Sequence, residues 1–146
     1  MYGNAADGDQ RHRASVNGVW DLGSGFQLSG IYFFGSGRRY GVNTGADLRD
    51  EGQSGALRLR ANGTIVPRNP LVGDPIHRVD MRLQKRLSLG GHRQIDGIIE
   101  VFNLLNHANY GSYTINENNA NYGKPSASTN QAYQPRMLQL GFRTTF

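Results

Sequence analysis

The chain has 146 residues, of which 37% are hydrophobic, 20 are Gly and none is Cys, so a disulfide scaffold and any Cys-ligated zinc or iron–sulfur site are excluded. The formal net charge is +5, but the basic residues are scattered and form no recognition pattern, which argues against nucleic acid as a partner. No apolar run approaches the about 18 residues of a membrane-spanning helix, and the start, MYGNAADGDQRHR, lacks the apolar segment of an export signal.

In chain order, five segments alternate apolar and polar residues, the period of a strand with two unlike faces. The first, Arg13 to Leu22, sets Ala14, Val16, Trp20 and Leu22 on one face and Ser15, Asn17 and Asp21 on the other, with Val19 breaking the polar row. The second, Gly25 to Phe34, carries Phe26, Leu28, Tyr32 and Phe34 opposite Gln27 and Ser29. The third, Ile76 to Leu89, alternates Val79, Met81, Leu83 and Leu87 with Arg78, Asp80, Arg82, Gln84 and Arg86. Lys85 interrupts its apolar row near one end, where a long side chain reaches toward headgroups. The fourth, Arg93 to Leu105, sets Ile95, Ile99 and Val101 against Gln94, Asp96 and Glu100, with Ile98 and Phe102 joining the polar side. The last, Arg136 to Phe146, sets Leu138, Leu140, Phe142 and Phe146 against Gln139, Arg143 and Thr145.

The connections alternate short and long. Gly23-Ser24-Gly25 and the stretch around Gly90-Gly91-His92 are short, whereas Gly35 to about Pro75 and Asn106 to about Pro135 are long. Outer-membrane barrels have short turns at one end and long loops at the other, whereas a soluble sandwich has no reason to keep its long loops together and seldom carries loops of such length. The expected fold is therefore all-β: an antiparallel meander of about five transmembrane strands, part of a larger outer-membrane β-barrel. On this reading the lipid of the bacterial outer membrane is a partner, and Met1 is not the native start of an exported protein.

Three segments carry a family resemblance. Asp80, Arg82 and Lys85 lie in RVDMRLQKRL. Glu100, Phe102, Asn103, Asn106 and His107 lie in EVFNLLNHANYG. Arg136, Gln139, Arg143 and Phe146 lie in PRMLQLGFRTTF. Together they resemble the C-terminal barrel of TonB-dependent receptors of the type with a carboxypeptidase-regulatory-like domain. Ser36 to Tyr40 resembles the family's S-G-R-P-Y segment, with Arg39 where Pro is usual. The resemblance implies a barrel of about 22 strands, of which residues 1–146 are the C-terminal portion, without the plug or the N-terminal domains. It further implies nutrient uptake driven through the TonB system, with an iron chelate, a vitamin or a glycan as cargo, no bond made or broken, and no cofactor. The alternative is a surface-exposed structural or adhesive barrel that does not transport.

Three sets of site residues follow. Leu138, Leu140, Phe142 and Phe146 form an aromatic-ended row that looks like the signal read by the barrel-assembly machinery, another expected partner. Asp80, Arg82, Arg86, Asp96, Glu100 and Arg143 share the polar face. That face is read as the lumen, and the six as a ladder of charge pairs rather than catalytic acids and bases. Centring the turn on Gly91 places Arg82 opposite Glu100 and Arg86 opposite Asp96. Tyr110, Tyr113, Tyr122 and Tyr133 lie among Asn and Ser, a composition suited to ligand contact. The four His, His12, His77, His92 and His107, show no metal-ligand spacing, and His107 is expected to serve side chain-to-backbone bonding at a strand end.

Overall fold

A computed structural model describes residues 7–50, 52, 58–126 and 134–146. Its strands are β1 (Arg13–Gly23), β2 (Phe26–Gly35), β3 (Arg39–Tyr40), β4 (Leu71–Val72), β5 (Ile76–Ser88), β6 (Gln94–Phe102) and β7 (Met137–Thr145). No helix among the described residues is long and apolar enough to cross a membrane. The long strands form one five-stranded sheet, β1-β2-β5-β6-β7, in which every neighbouring pair is antiparallel. This is the expected meander.

The turns set the register. Gly23 pairs with Phe26 across Ser24-Gly25, both left-handed at φ 51° and 80°, as a two-residue hairpin that matches strand twist requires. A side chain at position 25 would also run into the carbonyl of Arg86. Ser88 pairs with Gln94, so the second turn is centred on Gly91 as expected. Both long connections, from β2 to β5 and from β6 to β7, leave the same end of the sheet.

The sheet buries little apolar surface of its own. Trp20, Leu22, Leu87, Leu138, Leu140 and Phe142 on the apolar face are all exposed. The opposed Gly18 and Gly30 leave room on that face for the Trp20 ring. Lys85 lies over the Phe26 ring at 4.0 Å and donates to the Ser24 carbonyl, so its ammonium reaches the turn.

The chain divides into two compact units. One is the sheet with its strand ends (Arg13–Gly35, Ile76–Asn109, Tyr133–Phe146) and the other is made of loops (Met1–His12, Ser36–Pro75, Tyr110–Ala132). The loop unit contains the two-residue ladder β3–β4 and a small hairpin bridged at Leu59 and Ile65. Among its described residues, Val42, Val66 and Tyr113 are buried apolar ones. The expectation that the fourth strand runs to Leu105 is corrected. β6 stops at Phe102 because Asn103 and Asn106 turn left-handed (φ 50° and 51°), a conformation Asn tolerates better than most residues.

Candidate functional site: a polar strand face and its asparagine-closed end

Alternation along β5, β6 and β7 brings Asp80, Arg82, Arg86, Asp96, Glu100 and Arg143 to one face. Arg82 pairs with Glu100 and Arg86 with Asp96, which is the register that centring on Gly91 demands. Arg86 Nε donates to Asp96 Oδ1 at 2.9 Å and Nη2 to Oδ2 at 3.3 Å, a forked contact. Arg143 stands across from Asp96 on β7, so this buried carboxylate has a guanidinium-bearing residue on each flanking strand. Arg82 and Glu100 approach less closely, at 3.8 Å, and Arg82 also donates to Gln84 at 3.2 Å. Arg78 and Asp80 pair along one strand at 2.7 Å. Adjoining these charges, Asn17, Val19, Ser29, Ile31 and Phe102 help to line an open furrow of about 330 Å³.

The end of this face from which the loops leave is closed by amides. Asn109 Oδ1 accepts from the His77 N–H at 2.8 Å, and its Nδ2 donates to the His77 carbonyl at 2.9 Å. One side chain thus imitates a strand partner. Asn103 donates to the carbonyls of His107 and Gln134 and accepts from the His107 N–H. Its own N–H donates to Asp80 at 2.9 Å, tying the charge row to the turn. Asn106 Oδ1 accepts from the Arg136 N–H at 3.0 Å. The E-x-F-N-L-L-N-H segment is therefore a closing device, in which the backbone of His107, not the imidazole that was expected to bond, takes the asparagine hydrogen bonds. On the opposite face, Tyr32 Oη bonds His77 Nδ1 at 2.9 Å, and the His77 ring contacts Phe34 and His107 with centroids 5.2 Å apart. Sequence reading did not find this aromatic–imidazole cluster. The alternation that places Tyr32, Phe34 and His77 on one face was its only available signal.

Leu138, Leu140, Phe142 and Phe146 are exposed, Phe142 at 81% and Phe146 at 91%. β7 is an edge of the sheet, with β6 as its one neighbour. The tyrosines divide. Tyr122 is partly exposed and Tyr110 half-buried, while Tyr133 lies outside the described residues. Of the three described tyrosines of this set, Tyr113 is the buried one. It is 8% exposed, packs against Tyr40 at a tilt of 52° with centroids 5.2 Å apart, and donates to Asp74 Oδ2 at 3.0 Å while accepting from the Asp74 N–H at 2.6 Å. Burial pushes its hydroxyl up to about 12. With Val42 and Val66, this ring is buried among the described residues of the loop unit. Also unforeseen is the pair Arg60–Glu117, 2.7 Å between Nε and Oε1, which ties loop segments 57 residues apart. Among the described residues, no group of three or more His, Asp or Glu side chains converges as a metal site would.

The model of the outer membrane beta barrel domain family matches residues 60–139, more than half of the chain. The chain belongs to this family. Its place is accordingly the bacterial outer membrane, and the five-stranded meander is a stretch of the family's barrel wall. No curated protein and no solved structure matches the chain.

Proposed function

We propose that the chain is the C-terminal barrel portion of a TonB-dependent receptor that takes up a nutrient across the outer membrane with energy from the inner membrane. One coincidence carries this reading. The three segments that resemble the family's closing strands lie on β5, at the end of β6 and on β7, consecutive neighbours in one sheet, and the resemblance's Asn103 and Asn106 both bond backbone groups at the strand ends. On this reading the charged face lines the lumen, the apolar face meets lipid, the loop unit is extracellular, and the β7 row is the edge that the assembly machinery engages. The protein moves a solute and makes or breaks no bond. The cargo is of the iron-chelate, vitamin or glycan class.

A second reading, a surface barrel that binds a partner without transport, draws on the size of the compact loop unit. Uptake distinguishes the two. Cells carrying the complete protein are grown on candidate nutrients as sole source, with and without a protonophore and with and without the inner-membrane TonB protein. Uptake that requires this protein, the proton gradient and TonB supports transport. A protein whose loss leaves the uptake of every tested nutrient unchanged, but abolishes adhesion, supports the second reading.

A further inference from the structure

The loop unit contains a pocket that the barrel wall does not explain. It has about 290 Å³ and is walled by Leu48, Leu59, Arg60, Asn62, Glu117 and Asn118. Three segments build it. The backbone of Asn43 bonds both flanks of 115–117 (Asn43 N–H to the Ile115 carbonyl at 3.1 Å, Glu117 N–H to the Asn43 carbonyl at 2.9 Å), and Asn118 Nδ2 donates to the Thr44 carbonyl at 2.6 Å. The third segment is the Leu59–Ile65 hairpin, closed by Arg60 N–H on Thr64. Asn62 Oδ1 stiffens it by accepting from the Thr64 N–H and hydroxyl at 3.0 and 2.7 Å. From this hairpin Arg60 grips Glu117 with two parallel bonds, 2.7 and 2.9 Å, a forked geometry that fixes both groups.

The lining has a definite chemistry. The two charges cancel, and the Arg60 hydrogen bonds hold the Glu117 carboxyl below its ordinary value, so the pocket is neutral overall yet dense in fixed donors and acceptors. Asn62 spends its carbonyl oxygen on Thr64 and keeps its NH₂ for a ligand. Leu48, half exposed at 50%, and Leu59 supply an apolar wall. An anion would meet Glu117 and a cation Arg60. A wholly apolar ligand would strip water from the amides without replacing its hydrogen bonds, which is costly. A sugar ring satisfies every part, because its hydroxyls both donate and accept while its C–H face lies on leucine. The volume sits at the low end of the roughly 300–1,000 Å³ of small-molecule sites, the size for one ring rather than a long chain. We infer that this pocket holds a neutral sugar ring at the end of a glycan. The inference rests on the uptake reading only in that the loop unit faces the outside, and it selects glycan among the cargo classes.

The test uses the complete protein purified in detergent, with ligand-observed saturation-transfer NMR. The neutral probes are maltose, cellobiose and N,N′-diacetylchitobiose, and the charged comparators are digalacturonate and ferric citrate. At least one neutral disaccharide should bind, in preference to both comparators. Asn62→Ala should weaken it by about fivefold, the equivalent of one net hydrogen bond. Leu48→Trp, which removes no hydrogen bond and fills the pocket, should abolish it while the heat-modifiable barrel band remains. No binding of any neutral probe, preference for a charged comparator, or unchanged binding in folded Leu48→Trp would overturn the inference. Because binding is read without energy input, sugar binding without TonB-dependent uptake sinks the transport reading alone, and uptake of another cargo without sugar binding sinks this inference alone.

Discussion

Asn109 is 1% exposed, and its amide satisfies both backbone groups of His77. Asn109→Ala should leave that N–H and carbonyl unpaired, at about 1–3 kcal/mol for each buried group left unsatisfied. Urea unfolding of the lipid-reconstituted protein should show the loss, with Ala108→Ser as a neighbouring control that leaves the midpoint near the parent's. Arg60 and Glu117 give a prediction in pH. The folded carboxyl is depressed, so the pair's stabilisation is complete above the ordinary value of 4.5 and is lost as pH falls through the lower folded value. Limited proteolysis of the loops should therefore be unchanged from pH 7 to about 5 and accelerate only at more acid pH. Glu117→Gln should be cut faster at pH 7, with the acid step flattened. Residue roles were unevenly legible. The resemblance marked Asn103, Asn106 and His107 without saying what they bond. Arg60 and Glu117, 57 positions apart and outside any period, gave no sequence signal at all.

The five long strands were legible to within a few residues because each has two unlike faces, and alternation survives in sequence wherever a strand is long enough to repeat it. β3 and β4, two residues each, are too short to show a period. β6 ends early because backbone at Asn103, not hydrophobicity, decides its length. The β5–β6 register makes a charge-swap prediction. Arg86→Glu sets two carboxylates face to face across the pair and should lower the amount of folded barrel. Adding Asp96→Arg restores opposite charges and should recover part of it. A double variant no better than the worse single would refute the pairing. On β7, deletion of Phe146 or Phe142→Asp should reduce the heat-modifiable band in the outer membrane. An acidic residue at the lipid face adds a direct cost smaller than the about 2–4 kcal/mol of a basic one at mid-bilayer. Unchanged band intensity would remove β7 from any part in assembly.

For the molecule as a whole, the balance of surface is the telling quantity. The apolar face of the sheet is exposed from Val16 and Trp20 on β1 to Phe142 on β7, and β1 and β7 each have one strand neighbour. In water such a sheet offers both an apolar patch and free strand edges, so residues 1–146 expressed alone should aggregate unless detergent is supplied. A monodisperse, detergent-free monomer with a cooperative melt would contradict membrane residence of this sheet. The central claim, that one face of the sheet meets lipid and the other water, has a direct test by thiol labelling, for which residues 1–146 carry no native Cys and any Cys elsewhere in the complete protein is first replaced by Ser. Single cysteines placed in turn at Val79, Asp80, Met81, Arg82, Leu83 and Gln84 of β5 in the complete, membrane-inserted protein are spin-labelled and their collision rates measured with oxygen, which partitions into lipid, and with a water-soluble nickel chelate. The account predicts strict alternation, with Val79, Met81 and Leu83 accessible to oxygen and Asp80, Arg82 and Gln84 to the chelate. Equal access of the chelate to all six positions, or alternation in the opposite phase, would contradict it.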